Sequence, residues 1–285
     1  MVTPHFFDEL GSIRSEIELH NIYPSKKFGQ NFLLDMNITD KIARIASVEK
    51  EEHIIEIGSG PAGLTRSLLA CGAYVHAIET DNRLYPLLER VQQHYPQHLN
   101  IVKEDALKQD LDSVIPPPLS YKIIANLPYN IATPLLTKWL SHAWPPRYNM
   151  MALMFQKEVA ERIIAQPNTK AYGRLAILTQ WRCDVHIAMT LPPEAFFPPP
   201  KVHSAVVCFY PKKNIENINL KILETLTQAI FHQRRKKIRS GLKSILPNAD
   251  EVLPYLDIDP NIRGEALPVK EFLRLADFME SPVKK

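Results

Sequence analysis

The stretch Glu56-Ile57-Gly58-Ser59-Gly60-Pro61-Ala62-Gly63 decides the fold, because it joins a short apolar run, His53–Ile57, directly to a helical pattern, Leu64–Ala70. Glycines at a strand-to-helix junction let the backbone turn tightly and approach a ligand closely, at the carboxyl ends of the strands where open α/β sheets bind. Strand patterns recur at Tyr74–Ile78, Leu99–Val102 and Lys122–Ala125, separated by helical ones such as Tyr85–Val91. This alternation predicts a parallel, helix-covered α/β sheet. Upstream, Ile38, Ile42 and Ile45 share one helical face, with Asn37 as the expected cap. Downstream, Met150–Phe155 and Ala205–Tyr210 are further strand candidates, Lys157–Ile164 and Leu175–Thr179 are ambiguous, and the Pro-rich Leu191–Lys201 is expected to be irregular.

The glycine loop alone does not name its ligand. Gly58, Gly60 and Gly63 also meet the G-x-G-x-x-G spacing of a dinucleotide site. Glu79, at the end of the second strand pattern, can accept both hydroxyls of an adenosyl ribose, which NAD and S-adenosylmethionine share. Asp105, after the third, can pair an adenine edge: its carboxylate takes the amino group and the Ala106 N–H a ring nitrogen.

The fourth strand pattern ends in Asn126-Leu127-Pro128-Tyr129, which has a chemical reading that no dehydrogenase needs. An adenine N6 amine is a poor nucleophile because its lone pair is conjugated with the ring. The Asn126 side-chain oxygen and the Leu127 backbone oxygen can each accept one N6–H, favouring a pyramidal nitrogen aimed at an electrophilic methyl. Pro128 fixes the turn, and Tyr129 can stack on a base that has left its own stack.

Over nearly its whole length the chain resembles the ribosomal small-subunit (16S) RNA adenine dimethyltransferase family. The matching motifs are Lys27-Phe28-Gly29-Gln30-Asn31-Phe32-Leu33, Glu56 to Gly63, Asn126 to Tyr129, and Phe197-Pro198-Pro199-Pro200-Lys201-Val202. The resemblance implies a Rossmann-like class I methyltransferase sheet with a small C-terminal helical domain, and S-adenosyl-L-methionine as cofactor. It implies N6,N6-dimethylation of two adjacent adenosines in the 3′-terminal hairpin loop of 16S rRNA within the immature small ribosomal subunit. It further implies that Asn31 and Leu33 contact the cofactor, that Gly58, Gly60, Glu79, Asp105 and Asn126 complete its pocket, and that Phe196 packs on the face of the target adenine opposite Tyr129. After Lys201-Val202 the family often carries Asp-Ser, where this chain has His203-Ser204, and the histidine reads as a hydrogen-bonding loop residue.

Composition sets the outer bounds. At 285 residues and 45% hydrophobic, the chain can bury one large core and a smaller one. Its net charge of +3 does not announce a polyanionic partner, but the distribution does. Arg234, Arg235, Lys236, Lys237, Arg239 and Lys243 fall within ten residues, with no acid between Glu224 and Asp250. A one-sign run of this kind, read here as a basic helix, fits phosphate contacts to RNA from Arg234, Arg235, Lys236, Lys237 and Arg239. The polar Pro211–Asn219 stretch marks a linker. It predicts a cofactor-binding catalytic domain over residues 1–212 and a helical, RNA-recognising domain over 213–285, with apolar positions at Leu223, Leu226, Ile230, Leu273, Leu275 and Phe278. Three widely spaced cysteines argue for reduced thiols. Met1 to Leu19 lacks the pattern of a signal or transit peptide, and no stretch is long and apolar enough for a membrane span, so a cytoplasmic monomer is expected. His94 and His98 have helical metal-site spacing, but Pro96 between them and the missing Glu argue against zinc, and no metal is expected. Two rivals remain: a dimethyltransferase of large-subunit RNA, and an assembly factor that keeps the fold without methylating.

Overall fold

A computed structural model describes residues 10–280 of the chain. Residues 1–9, the opening of the Met1–Leu19 segment that lacks a targeting pattern, lie outside the described residues. Seven strands form the main sheet: β1 (His53–Ile57), β2 (Tyr74–Ile78), β3 (Leu99–Val102), β4 (Tyr121–Ala125), β5 (Tyr148–Gln156), β6 (Cys183–Leu191) and β7 (Ser204–Pro211). Their spatial order is β3-β2-β1-β4-β5-β7-β6. The first five are parallel, and β7 runs antiparallel to β5, with Ala152 opposite Cys208. The order reverses beside β1, the switch point at which open α/β sheets bind ligands. The fold is therefore the expected Rossmann-like α/β sheet.

β1 and β4 are nearly continuous apolar runs because both of their faces are covered. The helices Met36–Ile45 and Gly63–Ala70 pack Ile42, Leu64 and Leu68 into the same core as Ile54, Val75 and Ile124. The cap of the first of these is Asp35, not Asn37: the Asp35 carboxylate accepts the Asn37 N–H at 2.9 Å, and the helix starts two residues earlier than the apolar spacing suggests. β6 is the strand that sequence reading passed over. Cys183, Val185, Ile187, Met189 and Leu191 do alternate, but the intervening polar residues and the ambiguous helix before them masked the period. The proline-rich segment is not wholly irregular either. Phe196 and Phe197 form a two-stranded ladder with Leu33 and Phe32, possible because neither residue is a proline.

The chain divides into two compact units, one from the residues up to Ala160 with His186–Pro211, the other from Glu161–Val185 with the residues from Lys212 on. The helical unit thus reaches back before the linker. Tyr172, Ala176, Ile177 and Trp181 join one apolar core with Leu223, Leu226, Ile230, Phe272, Leu273 and Leu275. Tyr172 closes the packing by donating its hydroxyl to the Leu267 carbonyl at 3.0 Å. No described helix is long and apolar enough to cross a membrane.

Candidate active site

A cavity of about 260 Å³ lies at the carboxyl ends of β1–β4, lined by residues that follow each of these strands and by the segment Lys27–Phe32. Gly58 and Gly60 line it with φ of +68° and +56°, which an L side chain rarely adopts, so the loop presents bare backbone. Gly63 has a different reason to be glycine. A Cβ there would stand 2.8 Å from the Leu33 carbonyl oxygen, so it admits the N-terminal segment against the helix.

Glu79 is 5% exposed and held by backbone: its carboxylate accepts from Gly60 N (3.0 Å), Thr80 N (2.9 Å) and Asp81 N (2.9 Å). Burial pushes this carboxyl above its usual range, and the three N–H groups pull against that. Beneath the loop, Glu56 is buried and accepts the Thr65 hydroxyl at 2.6 Å; burial pushes its carboxyl up to about 8. Asp105 accepts the Leu107 N–H at 2.9 Å and lines the cavity beside Ala106.

The Lys27–Phe32 wall is tied down at two points. Gln30 donates to Asp81 (2.8 Å), and Arg83 donates to Asp81 through Nε (2.9 Å) and to the Tyr23 carbonyl through Nη1 (3.1 Å). Burial raises the Asp81 carboxyl, but these hydrogen bonds outweigh it and hold the group below its usual value. On the other side, Asn126 Nδ2 donates to the Asn31 carbonyl at 3.0 Å, which commits the donor half of the amide and leaves Oδ1 as an acceptor. Tyr129 opens the helix Tyr129–Leu140 with Pro128 as its cap, and its hydroxyl shares a 2.6 Å hydrogen bond with Ser204. Asn126, Leu127, Pro128 and Tyr129 all line the cavity together with Asn31, Gly58, Gly60, Glu79 and Asp105. The arrangement places two acids, Glu79 and Asp105, on the wall of one cavity together with the Asn126 amide and Tyr129.

Two expected participants sit elsewhere. Leu33 and Phe196 are paired in the short ladder, buried in the core and absent from the cavity lining. The correction follows from alternation: in a ladder neighbouring side chains point to opposite faces, and here Phe32 reaches the cavity while Leu33 does not. The basic run is a turn between the helices Leu220–His232 and Ile238–Leu242 and not a helix face. Arg234 donates to the Lys170 and Tyr172 carbonyls (2.9 and 2.8 Å), Lys237 to Asn261 (2.9 Å), and Arg239 lies 3.8 Å from Asp250. Arg235 and Lys236 are exposed, with no side-chain partner among the described residues.

A family profile described as Ribosomal RNA adenine dimethylase matches residues 24–281. The chain belongs to that family. It is accordingly a ribosomal RNA adenine dimethyltransferase. It is 48% identical over 271 residues, covering 94% of this chain and 97% of the other, to Ribosomal RNA small subunit methyltransferase A of Cereibacter sphaeroides. The protein of the same name from Brucella abortus is also 48% identical, covering 95% and 98%. Among solved structures it is similar to a dimethyladenosine transferase from Plasmodium falciparum, with a TM-score of 0.74 and 28% identity over 85% of this chain and 94% of that one. The 23S rRNA methyltransferase ErmE shares the fold at a TM-score of 0.66, with 23% identity over 88% and 100%. Gln30 lines the cavity, and Asp81, Arg83 and Ser204 hold its lining in place, a role the sequence alone does not disclose. Gln30 lies within the Lys27–Leu33 motif, but its partner Asp81 is 51 residues away and no local pattern pairs them.

Proposed function

We propose that this chain uses S-adenosyl-L-methionine to dimethylate N6 of two adjacent adenosines in the 3′-terminal hairpin loop of 16S rRNA. It acts as a cytoplasmic monomer on the immature small ribosomal subunit, with a role in subunit biogenesis. The observation that carries the substrate is the 48% identity, over 94% of this chain, to a relative named for small-subunit ribosomal RNA. When bound, S-adenosyl-L-methionine supplies an electrophilic methyl group on a sulfonium sulfur.

The cavity fits that group. Gly58 and Gly60 let the chain approach it without a Cβ, and Glu79, with three N–H bonds already accepted, retains acceptor capacity for ribose hydroxyls. Asp105 faces the base, and Asn31 belongs to the segment that forms the wall, with Leu33 packed in the core behind it. For the acceptor adenine, Asn126 Oδ1 and the Leu127 carbonyl oxygen take the two N6–H bonds, which orients the amine lone pair; no strong base is needed, because the proton leaves after transfer. Tyr129 stacks on the extruded base, with Ser204 holding its hydroxyl. The unit up to Ala160 with His186–Pro211 carries this chemistry, and the unit of Glu161–Val185 with the residues from Lys212 on recognises RNA, with Arg235 and Lys236 as the principal phosphate contacts and Arg234, Lys237 and Arg239 shaping the turn around them. Tritiated-methyl transfer to immature small subunits, intact large-subunit RNA and DNA tests the reading. Incorporation only into small subunits is expected, and transfer confined to large-subunit RNA or DNA overturns it.

A further inference from the structure

The helix that begins with Tyr129 carries Lys138 in its last turn. Lys138 Nζ donates to three backbone carbonyls: Gln109 at 2.7 Å, Leu107 at 2.8 Å and Ala106 at 3.4 Å. An ammonium group has three N–H donors, and here all are spent on one loop. That loop follows β3, and its residues Glu104–Leu107 line the cavity. Within it, Asp105 accepts the Leu107 N–H through its side chain, while its carbonyl accepts Lys108 N (2.8 Å) and Gln109 N (2.9 Å).

This loop is otherwise poorly anchored. Glu104, Leu107 and Lys108 are exposed, and only Ala106 is buried. Segments with few buried contacts open at low free-energy cost unless something pins them. Lys138 is half-buried and these three partners are neutral carbonyls, so it works by direction and not by ion pairing. Charge-assisted hydrogen bonds of this type are about twice as strong as neutral ones.

We propose that Lys138 is a positioning residue that clamps the Ala106–Gln109 carbonyls and so holds Asp105 and Ala106 in register for the adenine moiety of the cofactor. The proposal rests on the reading of Asp105 as the adenine-recognising acid. It also joins two parts of the site through one helix: Tyr129 at its start faces the methyl acceptor, and Lys138 at its end sets the base end of the cofactor pocket.

The test is calorimetric titration of the wild-type protein and Lys138→Met with S-adenosylhomocysteine and with S-inosylhomocysteine, which lacks the exocyclic amine. Methionine keeps the apolar stem and removes only the donors. The wild-type protein is expected to prefer the adenine ligand, since Asp105 accepts from an amine and not from an oxo group. Lys138→Met is expected to bind S-adenosylhomocysteine about tenfold more weakly and S-inosylhomocysteine within about twofold of wild type, so that the preference collapses. Equal weakening of both ligands, or an unchanged preference, overturns the clamp. Absence of the preference in the wild-type protein overturns the Asp105 reading itself, and is seen before any substitution is made. Should Lys138→Met not fold, Lys138→Gln is read by the same ratio.

Discussion

At the cavity, Glu79 is gripped by three backbone N–H groups and Asn126 by one backbone carbonyl, whereas at the turn after Leu220–His232 two of four consecutive cations reach into solvent and two bind their own chain. Both regions are polar, but the first is positioned throughout and the second only at Arg234 and Lys237. A group placed by backbone is preorganised, so its removal costs chemistry or tight binding. A long side chain in solvent contributes a screened, additive charge. The two regions should therefore fail in different ways, and substitutions can break or sharpen that contrast.

The largest effect is expected for Asn126→Ala. Loss of one positioned acceptor is expected to lower the single-turnover methyl-transfer rate about 100- to 1,000-fold, by analogy with an oxyanion-hole donor. Circular dichroism and RNA filter binding should stay near wild type. Glu79→Ala comes next: leaving the ribose hydroxyls and the N–H groups of Gly60, Thr80 and Asp81 unpaired costs roughly 1–3 kcal/mol, or about 5- to 150-fold in affinity for S-adenosyl-L-methionine by calorimetry. Unchanged affinity would make Glu79 a purely structural anchor of the loop.

At the turn the expected effect is smaller and of another kind. Arg235→Gln with Lys236→Gln should weaken RNA binding and flatten its salt dependence by a log–log slope of about 1.4, while leaving cofactor affinity alone. Arg234→Gln should do the reverse. It is expected to lower thermal stability, because the Lys170 and Tyr172 carbonyls lose their donor, with little change in salt slope. Equal salt slopes for the two variants would erase the distinction drawn within the run.

The smallest effect concerns pH. With its carboxyl raised to about 8 by burial, Glu56 is protonated in the folded protein while it is ionised in the unfolded chain between about pH 4.5 and 8. The folded state then binds the extra proton, so this group's contribution is fully present below pH 4.5 and is lost as pH rises through 8. Glu56→Gln, which imitates the protonated form, should flatten the fall in melting temperature between pH 5 and 8.5 seen in the wild-type protein. A steeper fall in the variant would contradict the assignment.

The same contrast explains what could be read in advance. The parallel core, the glycine loop, Glu79, Asp105 and Asn126 were legible because each follows a strand and its position dictates its direction. Phe196 was assigned to the adenine from its motif, yet its ladder with Leu33 turns it into the core, a matter of register that no local pattern encodes. Arg234 looked like its neighbours in the run, but its partners lie 62 and 64 residues away. Lys138 gave no signal because a lone lysine late in a helix is ordinarily solvated, and its three carbonyl partners sit about thirty residues upstream.

In the proposed function, Asn126 and Leu127 present an adenine amine, and nothing else, to the methyl group. Nucleoside mass spectrometry of 16S rRNA, recovered from immature small subunits after incubation with the protein and S-adenosyl-L-methionine, tests it most directly. N6,N6-dimethyladenosine, preceded by its N6-monomethyl form at early times, is the predicted product. Methyl groups on ribose oxygen, on a pyrimidine or on ribosomal protein, with adenine N6 untouched, would contradict the account.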